Sequence, residues 1–189
     1  GRSYEAIIRI NSQSGKGGIA YVLQADYGLN LPRNLQIEFS KDIQAITDAE
    51  GKELSSKRIY ERFRQVYVDQ PDGRLKFSDH QTYSDTESKG RRIVEATILD
   101  NGKEIVIKGT GNGPIDGFVD ALSRHLGVEL SVRDYSEHSI QHGSNAAAIC
   151  YMEMEYPGGV MFGAGINTNI VAASLEAVVS AANRILEAR

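Results

Sequence analysis

Residues 75–189 repeat one pattern twice: three extended segments, a pair of glycines spaced by one residue, then an amphipathic helix. In the first copy, segments 75–83, 92–99 and 103–108 read as strands, and Asp100-Asn101-Gly102 between the last two is a strong hairpin signal. The helix that follows Pro114 places Ile115, Phe118, Val119, Leu122 and Leu126 on one face. In the second copy, segments 129–135, 146–156 and 160–163 read as strands, with Pro157-Gly158-Gly159 joining the last two. A helix from about Asn169 then carries Ile170, Ala173, Ala177, Val178, Ala181 and Ile185 on its face. Gly109-Thr110-Gly111 before the first helix is matched by Gly163-Ala164-Gly165 before the second, and both triplets read as turns from strand into helix. The expected fold class is α+β, with a duplicated βββα domain related by an internal pseudo-twofold, its units spanning about 74–127 and 128–189.

The first seventy residues follow a different period. Residues 17–25 form a short helix candidate, and Pro32 opens a longer helix with Leu35, Phe39, Ile43 and Ile46 on one face, ended by Gly51. A third helix follows Ser55 or Ser56 as cap, with Ile59, Phe63 and Val66 at helical spacing. Asp69-Gln70-Pro71-Asp72-Gly73 breaks both patterns, so a small helical subdomain, residues 1–70, is expected to precede the duplicated domain, residues 71–189. Residues 4–10 alternate and read as extended, which suggests a segment of a longer protein.

Composition excludes several classes. The net charge of −4 provides no basic field for nucleic acid, and Lys89, Arg91 and Arg92 read as solvated turn and strand edge. No apolar run approaches a membrane span, no targeting helix is evident, and the single cysteine, Cys150, fits a reducing cytoplasm and a buried strand position. Ser14-Gly15-Lys16-Gly17-Gly18 lacks both the leading glycine and the Ser/Thr of a phosphate loop. His138 and His142 lie four apart but follow a strand, and His80 and His125 have no partner nearby, so no metal site is expected. No nucleophile elbow or acid/base pair stands out, which favours a binding and association module over an enzyme.

The stretch Gly109-Thr110-Gly111-Asn112-Gly113-Pro114 admits two readings. Its glycines allow close approach of a ligand, and the free amides behind Pro114 suit an anion. Equally, it is a tight connection with no ligand.

Several motifs carry a resemblance over nearly the whole chain. They are Asn11-Ser12-Gln13-Ser14-Gly15-Lys16-Gly17-Gly18, Asp26-Tyr27-Gly28-Leu29, Leu31-Pro32-Arg33 and Leu35-Gln36-Ile37-Glu38-Phe39-Ser40, then the glycine stretch before Pro114, Asp134-Tyr135, Glu137-His138 and Gly163-Ala164-Gly165-Ile166. In order and spacing they resemble the C-terminal part of 2-isopropylmalate synthase in its longer form. The resemblance implies linker subdomains followed by a regulatory, dimerising domain that binds leucine, in a cytoplasmic enzyme of leucine biosynthesis. The catalytic barrel, with the divalent metal at which acetyl-CoA and 2-oxoisovalerate condense, would lie upstream. The fragment itself would then have no catalytic residue, cofactor or metal. Its partners would be leucine, a second copy and its own barrel, not nucleic acid or membrane.

By that resemblance the leucine carboxylate would rest on amides near Ile115 and Asp116, beside Gly113 and Pro114, or near Ile166 and Asn167 beside Gly165 in the second unit. Backbone oxygens of Asn112, Val132 and Tyr135 would take the ammonium, with Asp134 as a nearby charge, and Ile115, Val132, Tyr135, Ser139, Ala146, Ala148 and Ile166 would surround the side chain. Tyr4 and the loop 12–18 would face the barrel of a partner subunit. The chain departs from the family pattern at Met161-Phe162, Asn167-Thr168 and Ser139, which leaves isoleucine, sensed by the related citramalate synthases, as the nearest alternative effector. A structural dimerisation module without sensing is the other alternative.

Overall fold

The computed structural model describes residues 7–8, 15–142 and 144–189. It divides into two compact units between Asp69 and Gln70.

The first unit is helical. β1 (Ile7–Ile8) pairs antiparallel with β2 (Leu54–Ser55), and the helices are α1 (Gly15–Tyr27), α2 (Arg33–Glu50) and α3 (Ser56–Phe63), the last running into a π-helical turn, Arg64–Asp69. The remaining residues of the expected extended segment 4–10, Tyr4 among them, and Ser12–Ser14 of the glycine loop lie outside the described residues, whereas Gly15 onward is already helical. Gly51 ends α2 in the left-handed region at φ 69°, its N–H donating to the Thr47 carbonyl. Ser55 caps α3 by accepting from Arg58 N at 3.2 Å. Two expected face positions shift by one residue: Ile46 and Val66 are half-buried, and Thr47 and Tyr67 take the interior places. For Tyr67 the gain is an aromatic cluster with Phe39 and Phe63, and its hydroxyl donates to Glu38 Oε1 at 2.7 Å.

The second unit is the duplicated domain. β3 (Leu75–Ser84), β4 (Arg92–Asp100) and β5 (Lys103–Gly111) form an antiparallel sheet followed by α4 (Pro114–Leu126). A second sheet of β6 (Ser131–His142), β7 (Asn145–Tyr156) and β8 (Gly159–Asn167) is followed by α5 (Ile170–Ala188). One core joins the two halves: Val94, Ala96 and Ile98 of β4, Phe118 and Leu122 of α4, Cys150, Met152 and Met154 of β7, and Val178, Ala181 and Ile185 of α5. Asn183 of α5 stitches it, its amide donating to the Leu75 carbonyl at 2.9 Å while its Oδ1 accepts from Leu75 N at 2.8 Å.

Two expectations about this unit change. β6 runs to His142 and β8 to Asn167, so His138 and His142 lie within a strand. Arg92 opens β4, as expected, and its guanidinium donates to Ser84 Oγ and Thr82 Oγ1. The glycine triplets, finally, are strand and not turn. At Gly109 a Cβ would collide with the Gly117 carbonyl and the Ala121 amide, and at Gly163 with the Ala177 carbonyl and the Ala181 amide. Gly111 and Gly165 are closed in the same way by Asp116–Gly117 and by Ala173 with Ala177. The glycines let each helix backbone lie directly on the last strand of its sheet, which is a packing requirement and not a conformational one.

Candidate functional site

The start of α4 is the polar end of a cleft of about 470 Å³. Gly113 is its N-cap, in extended backbone at φ −162°, and its carbonyl accepts from Gly117 N at 3.0 Å. No described side chain caps the helix. Pro114 at the first helical position has no N–H, so the amides of Ile115 and Asp116 are the first that an incoming group meets, with the helix dipole behind them. The cleft is lined by Asn112, Gly113, Pro114, Ile115 and Asp116 from this end, by Val132, Tyr135 and Glu137 of β6, and by Ile170, Val171 and Ser174 of α5.

Register explains how β6 contributes. Tyr135 stands opposite Met152 and Glu137 opposite Cys150, so both lie on the sheet face that carries the core. A shift in pairing between Val132 and Asp134 keeps Val132 on that face as well, opposite Met154, and turns Asp134 to the other. Charge is mixed but informative: Asp116 and Glu137 are both exposed carboxylates at the cleft, and Cys150 behind Glu137 is pushed up to about 12 by burial and then by the Glu137 charge. That thiol is neutral and fully buried, as its strand pattern predicts.

Seven expected site residues meet in this cleft: Asn112, Gly113, Pro114, Ile115, Asp116, Val132 and Tyr135. The other seven lie outside its lining. Ser139 and Ala148 are paired partners that continue the row of Tyr135 and Glu137 toward the β6–β7 hairpin, and Ala146 pairs with Gln141 near its tip. Gly165 is buried under α5, and Asn167 donates from Nδ2 to Glu176 Oε1 at 3.1 Å. Burial raises the Glu176 pKa, a shift that the Asn167 hydrogen bond opposes. Asp134 and Ile166 face the reverse side of the sheet, where Asp134 Oδ1 accepts from Tyr135 N at 2.9 Å.

The two expected anion seats are not equivalent in structure. α5 begins at Ile170, earlier relative to its glycine strand than α4 does: Gly109 packs on Gly117, the fourth residue of α4, while Gly163 packs on Ala177, the eighth of α5. This added first turn caps itself. Asn169 Oδ1 accepts from Ala172 N at 2.9 Å, and Asn167 Oδ1 accepts from Asn169 N at 2.9 Å. Ile170, expected on the buried face of its helix, is instead 50% exposed at the cleft, because this added turn extends beyond the strand that α5 covers.

Sequence reasoning missed Glu137, Ile170, Val171 and Ser174 as cleft residues. The usable signal was an apolar pair, Ile170-Val171, at the solvated start of a helix. Among the described residues no group of three or more His, Cys, Asp or Glu is placed to hold a metal, and no helix is long and apolar enough to cross a membrane.

Comparison with known proteins adds a family. The LeuA allosteric (dimerisation) domain matches residues 53–186, well over half of the chain, and the alpha-isopropylmalate synthase post-catalytic domain-like family matches residues 1–24. The 2-isopropylmalate synthase of Mesorhizobium japonicum is 81% identical over 98% of this chain and 33% of its own length. That of Rhizobium johnstonii is 74% identical over 100% of the chain and 34% of its own, and that of Thermobifida fusca 50% over 97% and 32%. The chain therefore spans about a third of the length of the curated relatives it matches.

Proposed function

We infer the function from the family to which the chain belongs, that of LeuA allosteric (dimerisation) domains: it is the regulatory end of a 2-isopropylmalate synthase and binds leucine in the cleft at the start of α4. The observation that carries this reading is the uncapped α4 terminus facing apolar walls. An amino acid needs a seat for a carboxylate, a seat for an ammonium and a dry pocket, and the cleft offers residues for each. The carboxylate is received by the amides of Ile115 and Asp116, where a helix start contributes about 0.3–1 kcal/mol toward an anion. Asp116 and Glu137, with the Asn112 carbonyl, receive the ammonium. Ile115, Val132, Ile170 and Val171 enclose the side chain. A cleft of about 470 Å³ falls in the usual range for small-ligand sites.

The chain pairs with a second copy and, in the full-length enzyme, conveys leucine occupancy to a catalytic barrel that condenses acetyl-CoA with 2-oxoisovalerate. For that transmission leucine must bind one arrangement of the enzyme better than another, with couplings of about 1–3 kcal/mol being typical. Calorimetric titration of the chain with leucine, isoleucine and valine tests the reading. Leucine is expected to bind most tightly. A preference for isoleucine would reassign the effector, and no heat with any of the three would leave a dimerisation module without sensing.

A further inference from the structure

We propose that the added first turn of α5 is the specificity wall of the cleft, with Ile170 as the residue that distinguishes leucine from shorter branched side chains. The inference rests on the leucine-binding reading and deepens it. The polar groups assigned above to the amino-acid backbone come from the segment that opens α4 and from β6: the amides of Ile115 and Asp116, the Asn112 carbonyl, and the Asp116 and Glu137 carboxylates. α5 contributes Ile170, Val171 and Ser174, and the Ser174 hydroxyl is already committed, donating to the Val171 carbonyl at 2.6 Å. The side chains of this wall therefore present hydrocarbon to a ligand whose charged end is held opposite.

The wall is also a distinct piece of structure. α4 has no equivalent of it, because the helix of the first unit begins a turn later relative to its glycine strand. It is held from below by its own capping asparagines, Asn167 and Asn169, so it stands without help from a ligand. Ile170 gains little from the fold, being 50% exposed, as is Tyr135 across the cleft at 47%. A large apolar side chain left half in water beside a cleft gains burial when the cleft fills, and that gain scales with how far the ligand's side chain reaches. Leucine, branched one carbon further out than valine, reaches further.

The test is titration of the chain and of Ile170→Ala with leucine and with valine. Trimming a hydrophobic pocket by a few carbons changes discrimination by about tenfold or more. Leucine affinity is expected to fall about tenfold, valine affinity much less, so the leucine-to-valine ratio collapses while the thermal midpoint without ligand stays in place. Ile170→Met, which keeps the wall apolar but changes its shape, is expected to alter the same ratio and serves if the alanine variant loses stability. An unaltered ratio in both variants, with leucine still bound by the parent chain, overturns the wall and leaves the cleft reading intact. Failure of the parent chain to bind either amino acid overturns both.

Discussion

The two βββα units share one packing device and differ at their helix starts. In both, paired glycines let the helix backbone rest on the last strand, Gly109 on Gly117 and Gly163 on Ala177. Beyond that contact the units part. α4 starts at an uncapped Gly113 with proline behind it, and α5 starts a turn earlier under its own asparagine caps. Their hairpin tips differ too. The last residue of β4, Asp100, is gripped by Arg74 at 2.7 Å and by His125 Nε2 at 2.7 Å, whereas the last residue of β7 is Tyr156, packed against the core. A duplicated fold can keep the contact that holds each half together and still vary the surfaces that meet a ligand.

The shared contact should dominate stability. Gly109→Ala and Gly163→Ala are each expected to lose about 3 kcal/mol or more, because the added methyl meets backbone and not a side chain that can turn away. Gly113→Ala, with open space around Gly113, should lose less, about 1 kcal/mol in urea titrations, because alanine is only a poorer helix cap than glycine. Similar losses at Gly109 and Gly163 would support the equivalence of the halves, and a tolerant Gly109 would break it.

Next in size is the hairpin tip. The Arg74 guanidinium, helped by His125, holds the Asp100 carboxyl at about 2, and its side chain is only 13% exposed. In an unfolded chain that carboxyl protonates near ~4. Its contribution, about 2 kcal/mol, is therefore complete above that pH and is lost as pH falls toward 2. Asp100→Asn is expected to remove this amount at neutral pH in urea titrations, with the gap from the parent chain closing in acid. Tyr156→Phe, at the corresponding place in the second unit, should leave the acid limb unchanged.

The smallest effect separates the helix starts. Gly113→Ser gives α4 a side-chain cap like that of α5, which alters stability by only a few tenths of a kcal/mol. The new hydroxyl competes for the amides that would take the leucine carboxylate, so calorimetry should show about tenfold weaker leucine binding.

Much of this architecture can be read from periodicity. The faces of α2, α4 and α5, the hairpin at Asn101-Gly102 and the duplication itself follow from apolar spacing and turn chemistry. What escapes is whatever depends on a neighbour. Glycine spaced by one residue is the same sequence whether the chain turns or is pressed by a helix, and only the helix decides. The run Ser136-Glu137-His138 is polar on both sides, so alternation fades before β6 ends. The π-helical turn after Phe63 leaves no period to find, and it is Tyr67, one place past Val66, that reaches the interior. The cleft was half legible for a related reason: its α4 side is one continuous motif, while its far wall begins at Ile170, brought there by a helix and a whole sheet of intervening chain.

Asn183 closes the domain over a far longer stretch of chain than the glycine contacts do. Each helix meets the strand just before it through glycines only 8 or 14 residues away in sequence, so those loops close at small entropic cost. The bonds between Asn183 and Leu75 join residues 108 apart. Closing that loop costs more chain entropy than closing either glycine contact, and it brings the last helix back to the first strand.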